Sequence, residues 1–364
     1  MPSFNPLLNP PAFPADRYAP LADRLKGLLG TEGDIVFVQG EAIVALEAAA
    51  LSLARRGLGA INIVTSPYGG YFGEWLLRGG ATVLEVKAEA GRPITIEAVQ
   101  EAIDALPRVD LVAMVHAETS SGILNPLPEI AALAKARGAL LVVDAVASFA
   151  GHPLDVDALG IDICVTGPQK AVGGPAGLSM VSVSAAAWSA MQDRDAGAPS
   201  TLSLLDLKRN WLDRGRGVVP GMPSALEFWS LEAALDALEE EGLTARIVRH
   251  HLAAAACRAG LRGLGVEPWG AETSASALAT AAPIPAGIDG DQLIAAAGRL
   301  GVALTPGFGD VRGKLVRLDH AGIRAAFPAV MAGVTAYGAA LAELGHPVDI
   351  GGGAAAVTRS YRRD

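Results

Sequence analysis

The chain has 364 residues, of which 51% are hydrophobic and 18% charged, and its formal net charge is −9. This length allows one large and one smaller domain, and the acidic balance argues against a nucleic-acid partner. No uncharged apolar run reaches the roughly 20 residues of a membrane span, so we expect no membrane partner. The first residues lack a signal-peptide pattern and two cysteines are too few for a disulfide framework, so we expect a cytoplasmic protein.

The first two thirds of the chain predict an arm followed by a large α/β domain. Residues 1–20 are proline-rich and predict an N-terminal arm that lies on the body or on a partner subunit. Within residues 21–245, apolar segments such as DIVFVQ, AINIVT and LLVVDAV alternate with amphipathic ones such as AIVALEAAALSLARR. Strands that are apolar throughout indicate a mostly parallel sheet with helices on both faces. Binding sites in such sheets lie at the carboxyl ends of the strands.

The last third of the chain predicts a smaller C-terminal α/β domain. The pattern becomes purely helical between about residues 220 and 260, where we expect a long helix to join the two domains. Residues 246–350 form the predicted small domain, with ALATAAPI and KLVRLDH as strands. We interpret residues 351–364, GGGAAAVTRSYRRD, as a loosely held tail.

The segment DICVTGPQKAVGGPAGLSMVSVS carries the most specific chemical signal. A strand ends at Thr-Gly-Pro, Gln169 and Lys170 follow, and a Gly/Pro-rich loop leads into the next strand. Desolvation among small uncharged residues lowers the pKa of a lysine amine, which favours the neutral, nucleophilic form that makes imines. The alternative is an ordinary surface lysine.

Asp144 ends the apolar strand LLVVD and supports the interpretation of Lys170 as a nucleophile that makes imines. A buried carboxylate needs a cationic or hydrogen-bonding partner, and a protonated pyridine nitrogen is such a partner. Val146 lies two residues on, on the same side, where it could pack against a ring. The alternative is a strand-end Asp that caps the next turn.

LLVVDAVASFAG followed by DICVTGPQKAVGGPAGLSMVSVS resembles the class V aminotransferases, the alanine–glyoxylate and serine–glyoxylate group. The resemblance extends from about Asp34 to Arg317 and beyond. It implies an α/β, fold-type I aminotransferase with a mostly parallel large domain. It also implies that Lys170 forms a Schiff base with pyridoxal phosphate or pyridoxal and that Asp144 pairs with the ring nitrogen, with Gln169 and Val146 beside the cofactor.

Three further segments resemble the same family and imply further contacts. HAETSSG implies that Thr119 hydrogen-bonds the hydroxyl of the cofactor ring, and SPYGGYFGEW implies that Tyr68 stacks on that ring. For Tyr68 alone, a structural aromatic is the alternative. KLVRLDHAG implies that Arg317 binds the substrate carboxylate, which suits a guanidinium because it offers two parallel hydrogen bonds.

Two departures from the family pattern concern the phosphate of the cofactor. The turn VQGEAIVAL places Glu41 where phosphate-binding members have hydroxyl groups, and PGMPSALEF places Met222 where a neighbouring subunit usually supplies a threonine. A carboxylate there repels a phosphate dianion. A similar Gly-Glu is found in one branch, the pyridoxamine–pyruvate aminotransferases, which use free pyridoxal and pyridoxamine as substrates. We therefore expect Glu41 to face the hydroxymethyl group of pyridoxal; the alternative is a first-turn Glu that points to water.

That branch also has a second arginine where this chain has Phe308. Either Arg312 substitutes for it, or the acceptor differs from pyruvate. The histidines show no pattern of metal ligands, so we predict no metal site. By resemblance we expect a homodimer or homotetramer whose site two subunits share.

The resemblance to this branch therefore implies an aminotransferase that interconverts pyridoxamine and pyruvate with pyridoxal and L-alanine. The first alternative is a conventional pyridoxal-phosphate-dependent alanine–glyoxylate or serine–glyoxylate aminotransferase. An alternative of another class is a non-catalytic vitamin B6 binding protein, which would not need the carboxylate contact of Arg317.

Overall fold

The computed structural model describes residues 9–191 and 200–362. The first eight residues of the predicted arm and the last two of the predicted tail lie outside these ranges. Residues 9–17 lie along the body, where Phe13 packs edge-to-face on Tyr18 and Trp229 Nε1 donates to the Pro11 carbonyl at 2.8 Å. The first helix begins at Tyr18, two residues before the predicted end of the arm at residue 20.

The strands are short and mostly buried. In chain order they are β1 (Asp34–Val38), β2 (Gly59–Val64), β3 (Thr82–Lys87), β4 (Leu111–Val115), β5 (Ala117–Glu118), β6 (Ile123–Leu124), β7 (Leu140–Asp144), β8 (Ile163–Thr166), β9 (Ser179–Val183), β10 (Ala279–Pro283), β11 (Thr305–Pro306) and β12 (Leu315–Asp319). All residues of β4, β8 and β9 are buried. β4 is apolar throughout, and β8 and β9 bury Thr166, Ser179 and Ser182 among apolar residues, as a sheet covered on two sides requires.

One helix precedes β1, and the others lie between and after the strands. In chain order they are α1 (Tyr18–Leu29), α2 (Ala42–Leu53), α3 (Pro67–Arg78), α4 (Ile96–Ala105), α5 (Leu127–Ala136), α6 (Ala185–Ala190), α7 (Leu204–Asn210), α8 (Ala225–Glu241), α9 (Leu243–Gly263), α10 (Gly290–Arg299), α11 (Phe327–Glu343) and α12 (Ile350–Tyr361). Side-chain caps begin several of them: Thr95 accepts from the Ala98 N–H before α4, and Asp289 accepts from the Gln292 N–H before α10.

The large sheet has the order β1-β9-β8-β7-β4-β2-β3. β9 runs antiparallel to both neighbours, and the pairs among β8, β7, β4, β2 and β3 are parallel, which confirms the predicted mostly parallel sheet. The register places Asp144 beside Val115 on β4 and beside Val165 on β8. The segments that follow these three strands therefore emerge at the same edge of the sheet.

A second, antiparallel sheet of order β10-β12-β11 belongs to the C-terminal part of the chain. One apolar core, reaching from Phe13 to Leu278, surrounds the large sheet, and another, from Ala253 to Val357, lies between the second sheet and its helices. α9 is 21 residues long and runs from the first core into the second. The predicted joining helix is thus present, and the domain boundary at residues 245 and 246 stays a prediction.

The prediction of a loose tail over residues 351–364 is wrong for residues 351–361. They belong to α12, whose start is capped by Asp349 accepting from the Gly352 N–H at 2.8 Å. α12 packs directly on α9, and glycines make this possible: a Cβ on Gly263 would lie 2.5 Å from the Gly352 carbonyl oxygen. The glycines that suggested flexibility instead allow two helices to approach closely.

No helix in residues 9–191 and 200–362 is both long and apolar enough to cross a bilayer.

Candidate active site

Lys170 and Thr119 meet at the carboxyl edge of the large sheet. Lys170 follows β8, and Thr119 lies in the tight connection between β5 and β6. The Lys170 Nζ donates a hydrogen bond to Thr119 Oγ1 at 3.2 Å. Burial lowers the pKa of the Lys170 amine, and the nearby Arg317 guanidinium lowers it further, against the opposite effect of Asp319, Glu41 and Asp144. The amine is therefore shifted towards its neutral, nucleophilic form.

Asp144 is a buried acid at the same edge of the sheet. Its side chain ends β7 and the residue is only 8% exposed. Its Oδ1 accepts the Val146 N–H at 3.0 Å. Burial raises the pKa of the carboxyl to about 7, and the charges of Glu118 and Glu41 also raise it. The hydrogen bond from the Val146 N–H and the charge of Lys170 act in the opposite direction and lower the pKa. Among the described residues no cationic side chain forms an ion pair with Asp144. The carboxyl group is therefore poised to pair with a cation.

Glu41 and Gln169 meet at the start of α2. Glu41 is the N-cap residue, and its Oε2 accepts the Ile43 N–H at 2.9 Å. Its Oε1 accepts from Gln169 Nε2 at 2.8 Å, while Gln169 Oε1 is buried without a hydrogen-bond partner. The start of a helix attracts anions through its free N–H groups and its dipole. In this chain the Glu41 carboxylate already takes that position.

Tyr68 lies in the first turn of α3, behind the cap formed by Ser66. Its side chain is 41% exposed and lines the same cavity as Asp144. Burial raises the pKa of its hydroxyl, and the charge of Glu41 adds to this. On its other side lies Phe308, with 5.7 Å between the ring centroids. The two rings are therefore in contact, and both are partly exposed to solvent.

Arg317 extends from the middle of β12, between Ala281 on β10 and Thr305 on β11. Its Nη2 lies 3.6 Å from Asp319 Oδ2, and its Nε is buried without a hydrogen-bond partner. Its charge acts on both Lys170 and Tyr68. A guanidinium with an unused buried donor, close to the reactive lysine, suits a carboxylate ligand.

Arg312 is less closely associated with the other predicted residues. It is exposed at the end of a short 3₁₀ helix, Gly309–Val311. In the described part of the chain, no hydrogen bond joins its side chain to Lys170, Arg317 or Tyr68. The structure thus brings together Glu41, Tyr68, Thr119, Asp144, Val146, Gln169, Lys170 and Arg317, and leaves Arg312 at the periphery.

Sequence reasoning missed Glu118, which precedes Thr119 in HAETSSG. It is 2% exposed, and it accepts hydrogen bonds from Thr65 Oγ1 at 2.8 Å and Ser120 Oγ at 3.5 Å. Burial raises its pKa, and its charge acts on Asp144. The sequence shows a glutamate between His116 and Thr119, but nothing in the local pattern indicates that this glutamate is buried. Residues 9–191 and 200–362 contain no group of three His, Cys, Asp or Glu that could hold a metal ion.

The chain is similar in sequence and in fold to several known proteins. The family model described as aminotransferase class-V matches residues 17–307. A pyridoxamine–pyruvate transaminase from Mesorhizobium japonicum is 38% identical over 342 residues, 92% of this chain and 86% of that protein. The chain belongs to the class V aminotransferase family. Enzymes of this family depend on pyridoxal phosphate.

A further relative and a solved structure are also similar to this class V aminotransferase. An alanine–glyoxylate aminotransferase from Callithrix jacchus is 30% identical, and the match covers 79% of this chain and 70% of that protein. The crystal structure of pyridoxamine–pyruvate aminotransferase from Mesorhizobium loti superposes with a TM-score of 0.89 at 35% identity, covering 94% of this chain and 88% of that one. These matches confirm the predicted family and the fold-type I architecture.

Proposed function

We propose that this aminotransferase uses free pyridoxal and pyridoxamine as substrates, with L-alanine and pyruvate as the amino-acid and 2-oxo-acid pair, and that it acts through Lys170. The observation that carries the proposal is the Glu41 carboxylate at the start of α2, hydrogen-bonded to the Ile43 N–H and to Gln169. The 38% identity to a protein named pyridoxamine–pyruvate transaminase supports the same activity.

The chemistry of the donor set fits a pyridoxal ring. The buried Asp144 carboxyl has a pKa raised to about 7 and accepts one backbone hydrogen bond, so a protonated ring nitrogen supplies the positive charge that it lacks. Thr119 offers a hydroxyl to the ring oxygen, and Tyr68 offers an aromatic face. Val146, buried beside Asp144, offers an apolar contact. A ring held in this way is an electron sink for the transfer of the amino group.

The position of Glu41 favours the unphosphorylated vitamer. A phosphate dianion at the start of α2 would meet the Glu41 carboxylate, and the Ile43 N–H that could bind it is already taken. A neutral hydroxymethyl group can instead donate a hydrogen bond to the same carboxylate. In this proposal Glu41 selects pyridoxal over pyridoxal phosphate by charge.

Lys170 and Arg317 perform the remaining tasks in this proposal. The neutral Lys170 amine attacks the aldehyde carbon of pyridoxal, a C=N bond forms and water leaves. Arg317 holds the carboxylate of L-alanine. The amine of L-alanine then attacks the same carbon and replaces the Lys170 nitrogen in the C=N bond, which frees the lysine amine. The free amine then moves a proton from the Cα of the amino acid to the C4′ carbon, and hydrolysis releases pyruvate and pyridoxamine. The reverse direction yields pyridoxal and L-alanine.

We also propose a homodimer or homotetramer in the cytoplasm, with a site shared by two subunits. Met222 supports this view, because its side chain is 94% exposed on the loop before α8 although it is apolar. Gln39 holds this loop beside the start of α2, with its Nε2 donating to the Pro220 carbonyl at 3.2 Å. Sedimentation velocity of the purified protein measures the number of subunits.

The deciding experiment compares the two forms of the cofactor. Ligand-stripped protein is titrated with pyridoxal and with pyridoxal phosphate, and turnover is then measured with pyridoxamine and pyruvate. The proposal expects tighter binding of pyridoxal and turnover without added phosphate ester. Tighter binding of pyridoxal phosphate, with activity towards glyoxylate, would instead identify a conventional alanine–glyoxylate or serine–glyoxylate aminotransferase. Binding without any turnover would identify a vitamin B6 binding protein.

A further inference from the structure

The loop that carries Lys170 folds back on itself. The N–H groups of Gly173 and Gly174 both donate to the Pro168 carbonyl, at 2.9 and 2.7 Å. These two bonds leave the carbonyl groups of Ala171 and Val172 open to donors from outside the turn. A group that binds both carbonyls helps to hold the loop that carries Lys170.

Arg246, in the first turn of α9, binds both of them. Its Nη1 donates to the Ala171 carbonyl at 2.9 Å and to the Val172 carbonyl at 3.1 Å. Its Nη2 donates to the Ala237 carbonyl at 3.1 Å, and its Nε pairs with Glu241. The Arg246 side chain is only 7% exposed, so the hydrogen bonds of its three nitrogens are largely shielded from solvent. A buried guanidinium with this many directed bonds fixes geometry as well as charge.

Arg249, one turn further along α9, holds a second segment. Its Nη1 donates to the Gly322 carbonyl at 2.8 Å and to the Ala325 carbonyl at 3.1 Å. Its Nε donates to Glu241 Oε1 at 2.6 Å, so that Glu241 joins the two arginines. His250 completes the contact, since its Nε2 accepts the Gly322 N–H at 3.0 Å.

The two segments that these arginines hold touch each other at Lys170. Gly322 has a φ of +60°, and a Cβ built on it would lie 3.0 Å from the Lys170 carbonyl oxygen. Gly322 also follows β12, the strand that carries Arg317. The start of α9 is therefore bonded both to the lysine loop and to the chain just beyond the substrate-binding arginine.

We propose that Glu241, Arg246 and Arg249 form a positioning cluster that sets the Lys170 amine at its working distance from Arg317. The inference rests on the proposed role of Lys170. None of the three side chains contacts Lys170 Nζ in the described structure, so they act through the backbone that carries it. A displacement of about 1 Å at a reacting group can cost about a hundredfold in rate, which makes such indirect support important.

The test compares Arg246→Leu with Arg246→Lys, using Arg258→Leu as the matched control. Arg258 lies on the same helix and is similarly buried, but it pairs with Glu272 away from the lysine loop. Hydrogen–deuterium exchange of ligand-free protein follows the amides of Gly173 and Gly174. Absorbance after mixing with pyridoxal follows imine formation, and steady-state kinetics separate kcat from the KM for pyruvate.

For Arg246→Leu we expect exchange at Gly173 and Gly174 to become at least about tenfold faster. We also expect imine formation and kcat to fall about ten- to hundredfold while the KM changes less than about threefold. Arg246→Lys can keep only part of the contacts and should fall between wild type and Arg246→Leu. Arg258→Leu should leave the exchange of these amides and imine formation unchanged.

Unchanged exchange and imine formation in Arg246→Leu would overturn the proposal, as would equal effects in Arg258→Leu. If Arg246→Leu does not fold, Arg246→Lys decides by the same readouts: unchanged values in that variant would overturn the proposal. If wild-type protein forms no imine at Lys170, the proposed function fails, whereas the exchange data still show whether Arg246 holds the loop.

Discussion

Glu41 and Gln169 are joined across the start of α2 by a hydrogen bond of 2.8 Å from Gln169 Nε2 to Glu41 Oε1. The other Glu41 oxygen accepts the Ile43 N–H, so the chain's own donors occupy both oxygens where an anion would otherwise bind. In the proposed function this pair favours pyridoxal over pyridoxal phosphate. It also makes vitamer preference the property most sensitive to substitution here.

Replacing Glu41 should shift the preference towards pyridoxal phosphate. Glu41→Ser and Glu41→Gln both remove the charge, and in the second variant Gln169 can turn its unpartnered Oε1 towards the introduced amide group. Because Glu41 is exposed, solvent screens the repulsion between its carboxylate and the phosphate of the cofactor. The repulsion then amounts to about 1–2 kcal/mol, on the order of tenfold in relative affinity. Titration with both vitamers measures this. If both affinities change by the same factor, Glu41 does not select by charge.

Asp144 should make the ligand-free protein less stable as the pH rises. Burial raises the pKa of Asp144 to about 7 in the folded chain, whereas an unfolded Asp titrates near 4. The folded state therefore keeps a proton that the unfolded state loses between about pH 4 and pH 7, and stability falls across this window, by up to about 4 kcal/mol.

Asp144→Asn removes this titration and keeps an oxygen for the Val146 N–H. The variant should be more stable than wild type at pH 8 and nearly equal at pH 4, as measured by thermal unfolding of ligand-free protein. It should also bind pyridoxal more weakly, because the ring nitrogen loses its counter-charge. An equal stability difference at both pH values would contradict this account of Asp144.

Arg317 should control the affinity for the 2-oxo acid. Arg317→Leu removes two charge-assisted hydrogen bonds, which predicts a KM for pyruvate raised about 10- to 100-fold. Lys314→Leu is the matched control, since Lys314 is an exposed cation just before the same strand. Steady-state kinetics also decide the role of Arg312: a similar loss in Arg312→Leu would give it the second contact predicted from the sequence. A KM unaffected by Arg317→Leu would remove Arg317 from the site.

Helix α12 should contribute to the stability of the C-terminal part of the chain. Val357 is fully buried against Gly260 of α9, where a Cβ would lie 2.7 Å from its Cγ2. Val357→Ala should cost about 1–3 kcal/mol through lost burial and a small cavity. Arg359→Ala, exposed on the same helix, should stay within about 0.5 kcal/mol. Urea unfolding measures both, and equal small effects would mean that α12 is held loosely.

The strands that carry the site could be predicted because their sequences show them directly. Apolar strands with a polar residue at the end, such as LLVVD before Ala145, indicate both burial and the edge at which Asp144 emerges. The Lys170 loop could be found for the same reason. Its Gly/Pro-rich continuation separates two buried strands, β8 and β9.

Other features depend on contacts between residues far apart in the chain. The glycines before Ala354 suggested a loose tail because their packing partners, Gly260 and Gly263, lie about 90 residues earlier. Arg246 was not predicted as a support for Lys170, since its carbonyl partners are 75 and 74 residues away. Local patterns predict elements and their ends, but not such long-range pairings.

Lys170 is the residue proposed to form the covalent bond to pyridoxal, and trapping that bond tests the proposed function most directly. Ligand-free protein is incubated with pyridoxal and reduced with borohydride, and the modified lysine is located by peptide mass mapping. We expect Lys170 to carry the label, because burial and Arg317 lower the pKa of its amine. Label at another lysine, or none at Lys170, would contradict the proposed function.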